Sequence, residues 1–107
     1  MKLVVRPAAH ADILNQIKHY VDELADTAAE RFAAAVQEAI EQIQKQPGIG
    51  SPRIIDNPRL FGLRSWPVPG FEDIRLYYLQ PQPKLIRVIR VLHGKRDLGA
   101  ILEREPR

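Results

Sequence analysis

The 107-residue chain has no cysteine, which excludes a disulfide framework, a thiolate nucleophile and any cysteine-built zinc site. Its three histidines, His10, His19 and His93, are too scattered to reach ligand spacing, so neither a metal nor another cofactor is expected. No apolar run approaches the roughly 20 residues of a bilayer-spanning helix, and Met1–Pro7 is too short for a secretory signal. A cytoplasmic protein that does not engage membranes is the expectation. Gly48 and Gly50 lack the preceding strand and following helix of a dinucleotide fingerprint. Ser51 and Ser65 have no histidine near them in sequence to support a hydrolase triad.

What is present suits one domain spanning 1–107, with an apolar content of 45% that is ordinary for a globular protein. The formal charge is +3, but it is unevenly placed: residues 1–52 carry five Lys/Arg against seven Asp/Glu, residues 53–107 eleven against six. The basic half is also the half rich in strand signals. A basic sheet surface suits an acidic protein partner or a nucleic acid.

Taken in order, Leu3–Val5 reads as a short strand, and Pro7 after it is of a kind tolerated in the first turn of a helix. Ile13, Leu14, Ile17, Val21 and Leu24 recur at helical spacing, so the expected helix runs from Ala8 to Leu24 with Asp12, Lys18, Asp22 and Glu23 off its apolar stripe. His10 and His19 are expected on its solvent side. Thr27 and Glu30 have capping-box spacing, and Phe32, Ala35, Val36, Ala39, Ile40 and Ile43 form the apolar face of a second helix. A link this short makes the two an antiparallel αα-hairpin. Gln46–Pro52 stops the second helix, and Leu60–Val68 is expected to be extended. Trp66 is expected to pack in the core or against the turn at Pro67–Gly70. Asp73–Leu79 is the next strand, with Ile74, Leu76 and Tyr78 on one face and Arg75, Tyr77 and Leu79 on the other.

The final strand, Leu85–Leu92, is apolar on both faces. Strict alternation puts Ile86, Val88, Arg90 and Leu92 on one side and Arg87, Ile89, Val91 and His93 on the other, as in a central strand covered on both sides. Asp97 can cap a last helix, Leu98–Arg104, with Leu98, Ile101 and Leu102 as its apolar side. The class is therefore α+β, in the order β-α-α-β-β-β-α, with a helical hairpin on a small antiparallel sheet. One hairpin covers one face. An exposed apolar patch including Tyr77, Leu79, Ile89 and Val91 is expected on the other, partly shielded by the last helix, and such a patch marks a protein-binding surface.

The one group with chemical potential is basic: Arg64, Arg75, Arg87, Arg90, His93, Lys95 and Arg96. A metal-free ribonuclease needs a base, an acid and cations for phosphorane charge, and His93, Arg90 and Arg75 could supply part of that. His93 is more readily read as a strand-end residue hydrogen-bonded to the backbone.

The block Arg90-Val91-Leu92-His93-Gly94-Lys95-Arg96-Asp97-Leu98, after a hydrophobic strand, resembles the ParE branch of the ParE/RelE toxin superfamily, also known as plasmid-stabilisation proteins. Leu63-Arg64-Ser65-Trp66-Pro67, Tyr77-Tyr78 and the Pro47-Gly48-Ile49-Gly50 turn extend the resemblance over nearly the whole chain. It implies a RelE-like fold and a bacterial type II toxin held silent by a cognate ParD-like antitoxin in a hetero-oligomer. Its target would be DNA gyrase, so that replication is blocked without the toxin being an enzyme. RelE-like relatives instead cut mRNA on the ribosome with lysines, arginines and usually a C-terminal tyrosine. This chain has no lysine between Lys45 and Lys84 and no tyrosine after Tyr78. The endoribonuclease and an inactive antitoxin-binding module are the alternatives. The basic set is the expected target surface, and Tyr77, Leu79, Ile89 and Val91 the expected antitoxin surface.

Overall fold

The computed structural model describes residues 1–94 and 98–105. Strand β1 (Lys2–Val5) leads into α1 (Pro7–Asp22) and α2 (Asp26–Lys45). A two-residue strand β2 (Ser51–Pro52), then β3 (Arg64–Val68), β4 (Phe71–Gln82), β5 (Leu85–His93) and α3 (Leu98–Glu103) complete the chain. The sheet order is β1-β5-β4-β3-β2. The β3-β4-β5 meander is antiparallel as expected, but β1 adds to β5 in parallel, so the sheet is mixed. That pairing makes β5 internal, which accounts for its apolar residues on both faces.

The hairpin packs as its second helix dictates. Phe32, Ala35, Val36, Ala39 and Ile43 are buried against Ile74, Leu76, Tyr78, Ile86, Val88 and Val91 of the sheet. Phe32 and Phe71 meet edge-on at 5.3 Å and Tyr20 tilts against both. Trp66 joins this core while its Nε1–H donates to Gln42 Oε1 at 2.7 Å.

Three local expectations change. Helix α1 turns Ala9, Ile13, Ile17 and Tyr20 inward and leaves Leu14, Val21 and Leu24 exposed. It ends at Asp22 because Leu24 takes a left-handed φ of 56°, with Ala25 N–H reaching back to Tyr20 O in a helix-terminating turn. The Thr27–Glu30 capping box does not form: α2 starts one residue before Thr27, behind Ala25, with no side-chain cap. The extension expected over Leu60–Val68 begins only at Arg64, because Pro58–Leu60 forms a 3₁₀ turn.

The larger change is on the second face. Leu60 and Leu63 from that loop, with Ile55, and Leu98, Ile101 and Leu102 from α3 build a second core over Tyr77, Leu79, Ile89 and Leu92. Tyr77, Leu79 and Ile89 are thus buried rather than an exposed patch, since burying them gains about 1.5–3 kcal/mol each. Val91 lies in the other core, beneath the helical hairpin.

Val91 changes sides because β5 carries a bulge. Leu76 pairs with Val91 and Tyr77 with Arg90, but Tyr78 pairs with Val88, leaving Ile89 extra. Before the bulge Ile86 and Val88 face the hairpin; after it Val91 does, and Leu92 moves to the second face. Strict alternation therefore fails for Arg90 to His93. A second irregularity sits where Gln80–Pro81 oppose the single residue Ile86, a place where a strand tolerates proline.

Candidate functional site

The bulge sets the electrostatics at the hairpin end of β5. Asp12 on α1 receives Arg90 bidentately, Nε at 2.7 Å and Nη2 at 2.9 Å, and also accepts the Val91 backbone N–H at 3.0 Å. Arg90 Nη1 reaches Glu105, beyond α3, at 3.1 Å. The three side chains are only 18%, 10% and 9% exposed, Arg90 first. Hydrogen bonding to Asp12 outweighs burial and holds the guanidinium still more firmly protonated. Arg90 is thus a structural cation joining α1, β5 and the tail. Asp12, placed off the apolar stripe by periodicity, had no sequence signal marking it as its partner.

The other expected basic residues separate. Arg64 holds the Pro-Gly turn, donating to Gly50 O at 2.8 Å and Gly48 O at 3.4 Å. Tyr78 closes the same turn from below: its hydroxyl donates to Pro47 O at 2.7 Å and accepts Gly50 N–H at 3.0 Å. Arg87 borders a shallow hollow with Arg59, Phe61 and Pro81. Arg75 sits on the second face, its Nε donating to Ser65 Oγ at 3.0 Å. His93 faces the opposite way, into a groove of about 730 Å³ between α1 and the β3–β4 turn with Asp12, His19, Tyr20, Glu72 and Asp73. Lys95, Arg96 and the expected cap Asp97 lie outside the described residues.

Two further residues carry weight that periodicity could not assign. Asn57, buried before Pro58, accepts Arg59 N–H with its side-chain oxygen and donates from Nδ2 to Leu102 O at 3.0 Å, Glu103 O at 3.3 Å and Glu105 O at 2.9 Å. These include carbonyls at the end of α3, which lack intrahelical partners. The Asn-Pro pair signals a turn, but nothing local announces the contact with the tail. Asn57→Ala is expected to cost about 1–3 kcal/mol and to speed amide exchange across α3 before the rest of the fold, measured by hydrogen exchange. The second residue is Arg53, whose Nε donates to the same Ser65 Oγ at 2.9 Å.

Tyr77 and Tyr78 are neighbours with opposite accounts. The Tyr77 hydroxyl is buried and has no hydrogen-bond partner among the described residues. Tyr77→Phe is therefore expected to be neutral or stabilising by about 1 kcal/mol, and Tyr78→Phe destabilising by about 2–3 kcal/mol, in denaturant melts. Burial pushes both phenols above their ordinary range, more than nearby guanidiniums and, for Tyr78, the Gly50 bond lower them. A raised folded-state pKa gives stability that is complete below about pH 10 and is lost as pH rises through the raised values. Tyr77→Phe removes that residue's share of the alkaline loss.

Among the described residues no cluster of three acidic, histidine or cysteine side chains could hold a metal, and no helix is long and apolar enough to cross a membrane.

Comparison with known proteins places this architecture. None of the curated protein sequences matches the chain. The fold is similar to a solved chain of the chromosomal ParDE toxin–antitoxin system from P. aeruginosa, with a TM-score of 0.68 and 20% identity over 87% of this chain and 95% of that one. The family model described as ParE toxin of type II toxin–antitoxin system, parDE, matches residues 3–98. That span takes in β1, the helical hairpin, the whole meander and the start of α3, and the chain belongs to the ParE toxin family.

Proposed function

We propose that this toxin acts on DNA gyrase, blocking replication without catalysing a reaction itself, and that a ParD-like antitoxin neutralises it in a hetero-oligomer. The observation that carries the choice over mRNA cleavage is the division of His93, Arg90 and Arg75. His93 faces the helical hairpin, Arg75 the opposite side, and Arg90 is neutralised by Asp12 and Glu105. General acid–base cleavage needs its groups within reach of one substrate.

The antitoxin surface is better sought on α1 than on the residues the sequence suggested. Leu14, Val21 and Leu24 lie exposed along the outer side of α1 and its terminating turn, an apolar stripe of the kind a partner helix covers. Tyr77, Leu79 and Ile89 are reachable only if α3 lifts, and Val91 only if the hairpin does.

The test is pulse-labelling of DNA and protein synthesis minutes after induction, followed by supercoiling and cleavage-complex assays with purified gyrase. An early stop in DNA synthesis with trapped cleavage complexes supports the proposal; an early stop in translation with cut mRNA overturns it. Leu14→Glu with Val21→Glu should leave toxicity intact and abolish neutralisation by a co-expressed cognate antitoxin.

A further inference from the structure

Two arginines on the second face converge on one oxygen. Arg53 Nε and Arg75 Nε donate to Ser65 Oγ at 2.9 and 3.0 Å, and Arg75 Nη2 donates to Ser65 O at 3.3 Å. Ser65 is fully buried and fixed in register between β2 and β4, opposite Ser51 and Tyr77. Arg53 is tied to the sheet edge by its own backbone N–H to Leu63 O at 2.8 Å. Both guanidiniums are therefore held by rigid elements while their residues remain half-buried.

Like charges brought together in this way normally share a carboxylate. Here neither guanidinium has an ion-pair partner among the described residues: the ion pairs are Lys18–Asp22, His19–Glu23 and the Arg90 pair with Asp12 and Glu105. Asp56, three residues from Arg53, makes none with either. Burial and the neighbouring Arg53 both make Arg75 easier to deprotonate than usual, the sign of a cation pair lacking its counter-charge.

We infer that Arg53 and Arg75, fixed by Ser65, form a binding site for one phosphate group. Charge and donor number favour phosphate over carboxylate. About seven guanidinium N–H groups remain after the bonds to Ser65, more than the roughly four lone-pair positions of a carboxylate. The oxygens of a phosphate accommodate them, and its charge answers two cations. The phosphate belongs either to a free phosphate or phosphomonoester or to a nucleic-acid backbone, and the inference stands independently of the gyrase reading.

The test uses the full chain labelled with ¹⁵N, following the side-chain Nε–Hε resonances of Arg53 and Arg75. Titration with inorganic phosphate is expected to shift both saturably, and acetate at equal ionic strength to act at least about tenfold more weakly. Arg53→Gln and Arg75→Gln should each weaken phosphate at least about tenfold, Arg53→Lys should recover only part because it lacks the fork, and Lys84→Gln should change nothing. Should Arg75→Gln fail to fold, the Arg53 variants decide. Equal responses to acetate and phosphate, or equal weakening by Lys84→Gln, overturn the site. A short DNA duplex separates the sources. If each glutamine variant lowers the slope of log affinity against log salt by about 0.9, the group is a backbone phosphate; an unchanged slope beside an intact phosphate response assigns a free phosphate or monoester.

Discussion

Arg90→Ala is expected to cost about 3–5 kcal/mol in urea unfolding, the range seen when one member of a buried ion pair is removed. The loss is not mainly the attraction of Arg90 for its partners. It is the exposure of two carboxylates, Asp12 and Glu105, to a site from which water is largely excluded and where no other cation takes its place among the described residues. A domain of this size has about 5–15 kcal/mol in all, so the variant would be only marginally folded. Asp12→Ala should also be severe, because it orphans the Val91 N–H and leaves the guanidinium with Glu105 alone. The double variant should be less destabilised than the sum by about 2 kcal/mol or more, since removing both charges leaves less to solvate. A loss below about 1 kcal/mol for Arg90→Ala would mean that solvent screens the network. It also follows that lost toxicity in an Arg90 variant reports unfolding, and that Arg87 and His93 are better probes of target contact.

Gly50→Ala is expected to be comparably damaging, by about 3 kcal/mol, although the backbone there is ordinary. An added Cβ would sit 2.6 Å from the Tyr78 hydroxyl, 2.8 Å from its ring and 2.9 Å from the Ser65 carbonyl. Neither the buried ring nor the backbone of β3 can yield easily, so overpacking is joined by loss of the hydroxyl's two bonds. Gly48→Ala supplies the control: its Cβ meets nothing within 4 Å, and the change should be neutral or slightly stabilising. Thermal melts of the pair separate a spatial requirement at Gly50 from a general need for a flexible turn. Equal effects at both positions would overturn that account.

What the sequence made legible was the part governed by repeated local pattern. The face of α2 from Phe32 to Ile43, the meander and the apolar side of α3 follow from spacing that can be counted, and the packing of Trp66 from its size beside a proline turn. What escaped depended on contacts between distant segments. Whether Leu14 or Ala9 of α1 turns inward is decided by where α1 lands on β5, and small Ala9 allows the closer approach. The second core needs Leu60 and Leu63 from a loop without periodicity. Asn57 finds the tail 45 to 48 residues on. The candidate anion site pairs a loop arginine with a strand arginine through a serine that only β-sheet register brings opposite Tyr77.

The extra residue at Ile89 also fixes how this strand can vary. Up to that point even-numbered positions of β5 are read by the hairpin core; past it, odd-numbered ones are. A saturation scan of 85–93 should therefore show tolerance alternating only as far as Val88, then an unbroken resistant block from Val88 to Leu92, where both cores and the Arg90 network are filled in succession. Deleting Ile89 would restore an unbroken alternation with Val91 still on the hairpin side and Leu92 still on the second, so the loss would be confined to Ile89's own place in the second core. In β5, a single inserted residue adds a side chain to the second core without changing which downstream residues fill either interior.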